Sequence, residues 1–239
     1  MSMLYNILNS ALSLIIVDRC MVCNEVLKAE MHGICLKCRL KMPKTNFCFK
    51  EHNPVKEFFD PLARVNQCSA FLLLKTDNDW HHVIHEFKYR GKRLYAQRLG
   101  AMYGADLKSS GLYNDIDYVV PIPLHWRKRL KRGYNQSTYL AEGIAKELGA
   151  KVDHRTVYRK KNNPSQTLQE ATDRWDNVDD IFALRNAKQF ANKHILLVDD
   201  VLTTGATICS CISSIHRVTP NCRISVATLA IARDISLKY

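Results

Sequence analysis

The chain has 239 residues, of which 46% are hydrophobic and 24% are charged, and these fractions are those of an ordinary globular protein. Its length suits one full-sized domain with a small appendage and is too short for two ordinary domains. The 9 Gly and 7 Pro exclude a collagen-like or low-complexity chain. Lys and Arg exceed Asp and Glu by 12, which favours phosphate-rich partners such as nucleotides, nucleic acid or an anionic membrane surface.

The first apolar stretch, residues 7–17, predicts a helix that docks on the rest of the protein. Its hydrophobic residues recur at helical spacing, and Asn9, Ser10 and Ser13 interrupt it. The stretch lacks the basic leader and the cleavage site of a signal peptide, and it is too interrupted to span a bilayer. Binding to a membrane surface is the minor alternative. We therefore expect a cytoplasmic protein without a transmembrane segment.

Four cysteines form two C-x-x-C pairs, Cys20 with Cys23 and Cys35 with Cys38, separated by eleven residues. In a reducing compartment, pairs at this spacing indicate metal ligands before disulfides. Two such pairs supply four thiolates in a tetrahedral set, which suits a structural Zn²⁺ and leaves no open coordination position. Reduced core cysteines are one alternative. A redox-active C-x-x-C is the other, and it is disfavoured because neither pair opens a helix after a clear strand.

From Pro54 onward, strand-like and helix-like runs alternate, which indicates an α/β domain with a parallel sheet. Strands are predicted at residues 68–74, 118–122, 195–198 and 223–232. Helices are predicted from the spacing of apolar residues at 80–87, 135–148 and 208–215. The predicted organisation is an N-terminal helix and zinc module, residues 1–55, followed by the α/β domain, residues 56–239.

The segment 195–207 reads ILLVDDVLTTGAT, an apolar strand followed by two carboxylates and a small loop of hydroxyl groups and glycine. At the carboxyl end of a parallel strand, such a loop presents the unpaired N–H groups and the dipole of the next helix, which attract a phosphate. Carboxylates repel a phosphate, so Asp199 and Asp200 are expected to accept hydrogen bonds from sugar hydroxyls or to help hold Mg²⁺. A capped strand-to-helix turn with solvated carboxylates is the alternative. The predicted phosphate-binding residues are Thr203, Thr204, Gly205, Ala206 and Thr207.

The segment 198–207 resembles the PRPP-binding motif of type I phosphoribosyltransferases, in which adjacent acids contact the ribose hydroxyls and the following loop holds the 5′-phosphate. The chain is more specifically similar to the ComF family of competence proteins. In that family's order, the four-cysteine finger is followed by VPIPL at 120–124, KRGYNQ at 131–136, SQTL at 165–168 and the PRPP loop. The resemblance covers nearly the whole chain and implies a phosphoribosyltransferase-like parallel sheet flanked by helices.

The function that the resemblance implies is the uptake of single-stranded DNA in natural transformation. The expected partners are single-stranded DNA and a competence helicase or recombination-loading protein, with PRPP or another phosphorylated small molecule at the loop. The alternative is an active phosphoribosyltransferase that uses Mg²⁺ with PRPP and an unidentified acceptor. A non-catalytic adaptor whose finger binds protein is the third hypothesis.

Two positions depart from the family pattern. Members often carry a further cysteine pair after the finger, whereas Glu51 stands at the pair position that follows Cys48. A second metal site is therefore not expected, and a contribution of Cys48 or His52 to the first stays open. In purine-type enzymes an Asp precedes the Thr-Gly of the loop, and this chain has Thr203 there. The loop thus shows no general base, which disfavours ordinary purine salvage.

The segment 127–132 places five cations in six residues, just after the strand that is predicted to end near Pro123. If the segment faces the PRPP loop, Arg132 and the turn after it would bind pyrophosphate or a second phosphate. If it faces outward with Trp126 and Tyr134 interleaved, it forms a platform for single-stranded nucleic acid. A solvated helix edge is the third interpretation. The residues predicted for either anion role are Arg127, Arg129, Arg132, Gly133, Tyr134 and Asn135.

The polar segment 155–177 predicts a mobile loop that closes over the reacting centre, as flexible hoods do in phosphoribosyltransferases. Its candidates to reach a substrate are Arg159, Lys160 and Gln166. An inert surface loop is the alternative.

Overall fold

The computed structural model describes residues 18–28, 33–74, 80, 82–84, 86, 93–160 and 181–232. The N-terminal segment 7–17, the SQTL motif and most of the predicted mobile loop lie outside the described residues. None of the helices in the described part of the chain has the length and apolar character that crossing a membrane requires.

The chain divides into two compact units, residues 1–42 and residues 43–239. The division lies earlier in the chain than the boundary that we expected between residues 55 and 56. Residues 43–55 pack within the second unit, where Asn53 Nδ2 donates to the carbonyl of Cys68 at 2.9 Å. The expected boundary rested on the alternation of strand-like and helix-like runs from Pro54 onward, which carries no information about such a bond.

The described residues of the first unit form one short helix, α1 (Leu36–Leu40), and an antiparallel bridge between Arg19 and Val26. The second unit alternates strands and helices. Its strands are β1 (Cys68–Leu74), β2 (Tyr118–Pro121), β3 (Lys151–Val152), β4 (Val157–Arg159), β5 (Phe182–Leu184), β6 (His194–Leu202) and β7 (Arg223–Ala232). Its helices are α2 (Pro54–Phe59), α3 (Arg93–Ser109), α4 (Trp126–Arg132), α5 (Gln136–Leu148) and α6 (Ala206–Val218), with 3-10 turns at Phe47–Phe49 and Ala187–Phe190.

Five strands form a parallel sheet in the order β1-β7-β6-β2-β3, and β4 and β5 form a separate antiparallel pair. The predicted parallel α/β architecture is thereby confirmed. β6 runs past its predicted end at residue 198, because its ladder with β7 continues through the pairs Asp199–Thr228 and Leu202–Ile231. The two adjacent acids therefore belong to the strand rather than to the loop after it.

Two of the predicted helices are α5 and α6, which lie where the apolar spacing places them. Of the third, 80–87, Trp80, Val83 and Ile84 are helical and buried, and Phe87 lies outside the described residues. Helices α3 and α4 were not predicted. Both carry charged residues among the apolar ones, so their hydrophobic spacing is a weak signal.

Helices cover both faces of the sheet. Ile195 and Leu197 of β6 belong to one apolar cluster with the inner face of α6. Because side chains alternate along a strand, Leu196 and Val198 face the other side, where α5 packs on β2 and β6. Burial on both faces explains why the strand reads as a continuous apolar run. The carboxyl ends of β2 and β6 emerge side by side, and the predicted site begins there.

Helices α3 and α5 meet at a backbone contact that only glycine permits. A Cβ atom built on Gly143 would lie 2.2 Å from the carbonyl oxygen of Gln97, and one built on Gly100 would lie 2.3 Å from that of Leu140. Both neighbours are backbone atoms, which cannot turn away as a side chain does. The two glycines therefore set the distance between the helices and, through α5, the position of its amino end.

Gly143→Ala is expected to lower the free energy of unfolding by about 3 kcal/mol, because the added methyl group would meet the backbone of α3. Denaturant unfolding of the full chain measures this change. The control Lys146→Ala trims an exposed side chain of the same helix and should change the free energy by less than about 0.5 kcal/mol. Equal midpoints for Gly143→Ala and wild type would contradict the close contact.

A chain of hydrogen bonds around the buried His194 joins the amino ends of the central strands. The fully buried His194 places Nδ1 2.8 Å from Asp115 Oδ1 and Nε2 2.9 Å from Ser225 Oγ. Asp115 also pairs with Arg223 at 2.6 Å, and the N–H of Gln67 donates to Ser225 Oγ at 3.2 Å. Burial lowers the pKa of His194 below 6.5, although the Asp115 carboxylate opposes this shift. The folded protein therefore holds this imidazole neutral at neutral pH.

The stability of the fold is expected to decrease as the pH falls through about 6.5, because the unfolded chain then binds a proton that folded His194 does not. This group contributes at most about 1.4 kcal/mol per pH unit. Free energies of unfolding measured between about pH 7.5 and 5.5 test it, and His194→Gln should lose that part of the slope. His52→Gln, at an exposed histidine, should keep the wild-type slope. A wild-type slope in His194→Gln would assign the effect to another group.

Candidate functional site

The first unit folds around its cysteines. A backbone hydrogen bond of 2.8 Å from Met21 to Gly33 brings the first C-x-x-C segment against the second. Gly33 takes a φ of 80°, a left-handed conformation that glycine adopts without strain. The N–H of Cys35 donates to Cys20 Sγ at 3.4 Å, and Cys35 Sγ in turn caps α1 by accepting from the N–H of Cys38 at 3.4 Å. The local backbone therefore points the sulfur atoms inward.

The four sulfur atoms are close enough to hold one metal ion. The cluster comprises the Sγ atoms of Cys20, Cys23, Cys35 and Cys38, all within 4.8 Å of one another. Those of Cys23 and Cys35 are 3.7 Å apart. A tetrahedral ion with metal–sulfur bonds of about 2.3 Å needs sulfur atoms about 3.8 Å apart, so the residues fit such an ion. In the described part of the chain, neither Cys48 nor His52 belongs to this cluster.

The electrostatics of the cysteine sulfur atoms also favour a cation at this cluster. Burial opposes the ionisation of Cys20, but backbone N–H groups, those of Cys23 and Cys35 first, lower its pKa to about 7. Burial and the neighbouring sulfur atoms raise the pKa of Cys38. Thiolates this close to one another repel, and a cation among them stabilises all four.

Asp199 and Asp200 lie at the carboxyl end of β6, where hydrogen bonds fix both carboxylates. Ser137 Oγ donates to Asp199 Oδ1 at 3.1 Å, and Gln136 Nε2 donates to Asp200 Oδ2 at 2.7 Å. The N–H of Asp200 donates to Asp199 Oδ1 at 2.9 Å, and the N–H of Val201 donates to Asp200 Oδ1 at 2.8 Å. Because both side-chain donors stand in the first turn of α5, that helix orients the acid pair.

Gln136 and Ser137 are site residues that the sequence analysis missed. Gln136 closes the KRGYNQ motif, and Ser137 follows it directly. Gln136 is 4% exposed, and its Oε1 is buried without a donor among the described residues. A buried acceptor that lacks a donor costs free energy, so the atom suits a ligand hydroxyl or a water molecule. Buried polar residues in the first turn of an apolar helix are the signal that would have found them.

The predicted phosphate-binding loop continues from β6 into α6. Gly205 has a φ of 67°, and its carbonyl accepts the first helical hydrogen bond, from Cys209. A Cβ atom on Gly205 would lie 2.6 Å from Phe58 Cε1, so the support of the loop by α2 requires glycine here. Thr203 is exposed, Thr204 is half-buried, and no side chain in the described residues caps α6. The loop therefore presents amides and hydroxyls at the amino end of a helix, as anion sites do.

Arg159 of β4 extends the site from the antiparallel pair. Its guanidinium lies over the ring of Phe182, 5.5 Å from the centroid. Burial lowers the pKa of Arg159, and the negative charge of Asp199 opposes that shift. The arginine thus interacts electrostatically with the acid pair. Of the other two residues predicted to reach a substrate, Lys160 is exposed and Gln166 lies outside the described residues.

The residues predicted to bind a second anion lie on α4 and in the turn between α4 and α5. Arg127 and Arg129 are exposed on α4, and Arg132 is half-buried at its end. Gly133 ends α4 with a φ of 78°, as a helix C-terminal glycine does. The side chain of Asn135 caps α5 and donates to the carbonyl of the residue after β2, Ile122, at 2.9 Å.

A cavity of about 440 Å³ opens beside this turn. Arg93 of α3 lines this cavity. Its guanidinium lies over the rings of Tyr134 and Tyr139, 5.2 and 5.6 Å from their centroids. The cavity is lined by four of the six residues predicted for a second anion, Arg129, Gly133, Tyr134 and Asn135.

Known proteins are similar to this chain in sequence. The phosphoribosyl transferase domain family matches residues 135–237. Competence protein F of Haemophilus influenzae is 23% identical over 207 residues, which cover 80% of this chain and 87% of that protein. DNA utilization protein YhgH of Escherichia coli K12 is 27% identical over 199 residues, 79% of this chain and 86% of that protein. Competence protein ComFC of Bacillus subtilis is 34% identical over 128 residues, 52% of this chain and 48% of that protein.

These matches fit the ComF family that the sequence resembles. Within this chain, the phosphoribosyl transferase match starts at Asn135 and contains the acid pair and the loop, whereas the cysteine cluster precedes it. The matched domain thus includes Gln136 and Ser137, whose hydrogen bonds hold the acids. The parallel sheet, its flanking helices and the metal-binding cluster of the predicted fold class are confirmed.

One metal ion per chain is expected in the purified protein, because the four sulfur atoms suit a single ion. Metal analysis measures the amount and identifies the ion. A strong chelator should remove the ion and lower the melting temperature, because the cluster loses its cation. Cys38→Ala should lose the ion, and the control Cys209→Ala, outside the cluster, should keep it. Metal-free protein with an unchanged melting temperature would refute the site.

Proposed function

We propose that this protein acts in the uptake of single-stranded DNA during natural transformation and binds PRPP at the carboxyl end of its sheet. The names of the relatives, competence protein and DNA utilization protein, support the DNA role. The observation that carries the PRPP site is the acid pair, held by α5 next to a glycine-hinged loop at a helix amino end. We place the protein in the cytoplasm, with a competence helicase or recombination-loading protein as partner.

In this proposal the 5′-phosphate of PRPP lies on the loop, and the ribose hydroxyls lie on the acids. The amides of the first turn of α6 and the hydroxyls of Thr203, Thr204 and Thr207 donate to the phosphate. Asp199 and Asp200 accept from the ribose hydroxyls, and Mg²⁺ enters as part of the PRPP complex. The buried Oε1 of Gln136, which has no donor among the described residues, supports this arrangement because it suits one more ligand hydroxyl. Gly205 and Ala206 let the sugar phosphate approach the backbone.

The basic turn before α5 serves the anions beyond the ribose. Arg132, with Gly133, Tyr134 and Asn135, binds pyrophosphate or a second phosphate, and the neighbouring cavity, which the last three of these residues line, supports this role. The exposed Arg127 and Arg129 of α4 bind nucleic-acid phosphates.

The metal of the first unit is a structural Zn²⁺ in this proposal. Four thiolates form the donor set that soft, tetrahedral zinc prefers and leave no position for a substrate. The zinc stabilises the fold of residues 18–42, and Cys20, Cys23, Cys35 and Cys38 are its ligands.

An active phosphoribosyltransferase is the second candidate function, and the hydrogen-bonded acid pair favours it. In that reaction an acceptor amine attacks C1 of PRPP, the bond from C1 to the pyrophosphate oxygen breaks, and pyrophosphate leaves toward Arg132. The two carboxylates stabilise the positive charge that develops on the sugar. The acceptor is not a free purine in this proposal, because Thr203 replaces the acid that purine-type enzymes place there.

Asp199→Asn with Asp200→Asn is expected to weaken PRPP binding at least about 100-fold, because the neutral amides do not reproduce two carboxylate acceptors for the ribose. Titration calorimetry of zinc-loaded protein with Mg²⁺-PRPP measures the affinity. The matched control, Glu51→Gln with Asp60→Asn, makes the same charge change at exposed positions and should bind as wild type does.

Transformation frequency in cells that carry the double variant separates the two candidate functions. Loss of transformation with a normal melting temperature supports a required sugar-phosphate site. Unchanged transformation in the Asp199/Asp200 variant would sink that role and leave DNA handling to the basic surface. Release of pyrophosphate from PRPP in the presence of an acceptor, absent in the variant, would make the transferase the leading function.

A further inference from the structure

A second cavity lies against the one beside the α4–α5 turn. It has a volume of about 710 Å³ and extends between α4 and the antiparallel pair β4–β5. The two cavities share four lining residues, Pro123, Leu124, Arg129 and His154. They therefore form one continuous surface, which we name the α4 groove, with volumes of about 440 and 710 Å³ on its two sides.

The α4 groove carries a strong positive charge. Its described lining includes five arginines, Arg93, Arg129, Arg155, Arg159 and Arg185. Asp153 is the acidic residue among the described lining residues, and it accepts hydrogen bonds from Thr156 Oγ1 at 2.9 Å and Gln189 Nε2 at 2.6 Å. An excess of guanidinium groups in one concave surface attracts a polyanion, and their planar forks match phosphate oxygens.

Aromatic rings alternate with these arginines. Trp126 is 54% exposed on the groove wall, and the guanidinium of Arg127 lies over its ring at 5.2 Å. Arg185 lies over the ring of Tyr158 at 4.5 Å. An arginine that stacks on a ring keeps its N–H edge for a phosphate, and an exposed indole offers a face on which a base can stack.

We propose that the α4 groove binds an extended segment of single-stranded nucleic acid, with its phosphates along the arginines and a base stacked on Trp126. This proposal rests on the proposed function and names the surface that receives the strand. A groove built of two joined cavities suits a chain of nucleotides better than one small phosphate ester. Exposed aromatic faces suit unstacked bases, which a duplex does not offer and an acidic peptide does not contain.

The groove also lies at the edge of the sheet that carries the acid pair. Pro123 and Leu124, which line both cavities, follow β2, and β2 pairs with β6 up to Pro121 and Val198, one residue before Asp199. A strand in the α4 groove would thus bring its nucleotides next to the bound sugar phosphate.

Salt-dependent binding of oligothymidylate of about 15 nucleotides to zinc-loaded protein tests the charge of the groove. Arg155→Gln with Arg185→Gln removes two exposed cations of the larger cavity. Affinity should fall about tenfold, and the slope of log K against log salt should shrink by about 1.4, because two phosphate contacts are lost. The matched control, Lys108→Gln with Lys151→Gln, removes two exposed cations that do not line either cavity and should keep the wild-type slope.

The stacking role of Trp126 is tested separately. Trp126→Ala should weaken oligothymidylate binding about tenfold with an unchanged salt slope, because a ring and not a charge is removed. Leu130→Ala is the matched control on the same helix, where Leu130 is 73% exposed and does not line either cavity, and it should bind as wild type does.

The outcomes separate this proposal from the proposed function. Equal weakening by the arginine variant and its lysine control would overturn the groove and leave only diffuse charge attraction. Wild-type affinity in both the arginine and the tryptophan variants would overturn the groove while the DNA-binding function stands. Protein that binds no oligothymidylate at all would overturn both. An unchanged melting temperature in every variant shows that the fold is intact.

Discussion

Two hydrogen bonds from the first turn of α5 to the acid pair are the constraint on which the site depends. They join Gln136 to Asp200 and Ser137 to Asp199 at 2.7 and 3.1 Å. Their lengths require that β2 and β6 pair in register and that α5 lie at the right height on the sheet. The close contact of α5 with α3 sets that height, so a displacement of α5 by about 1 Å would break both bonds. The orientation of Asp199 and Asp200 therefore depends on the packing of α3 against α5, a contact that neither acid makes.

Much of the fold follows from local sequence. The apolar run that begins at Ile195 predicts a strand, because a strand buried on both faces is apolar throughout. The apolar spacing after Gly205 predicts the helix that follows, because a helix buried on one face repeats its apolar residues every three or four positions. The acid pair and the loop between these elements are equally local. A loop at the carboxyl end of a parallel strand faces the binding edge of the sheet wherever the rest of the chain lies. The family motifs, in their order, add the domain type.

The sequence does not reveal which residues that are far apart in the chain contact one another. Gln136 is separated from Asp200 by 64 positions, and no periodicity links them. Phe58 lies under Gly205, a contact across most of the chain that explains why the loop needs glycine. The hydrogen bond from Asn53 to the carbonyl of Cys68, which ties the segment before Pro54 to β1, is a contact of the same kind. Each of these is a tertiary contact, which the pattern of neighbouring residues cannot report.

The segment from α4 into α5 belongs to two surfaces at once. Its outer part carries Trp126 and Arg129 in the α4 groove, and its inner part ends at Gln136, which holds Asp200. Between them, Asn135 caps α5 and bonds to the backbone after β2 at 2.9 Å. A ligand that displaces α4 therefore acts on the cap of α5 and, through it, on the acid pair. The basic segment 127–132 closely precedes Asn135 and Gln136 in the chain, so one short connection contributes residues to both surfaces.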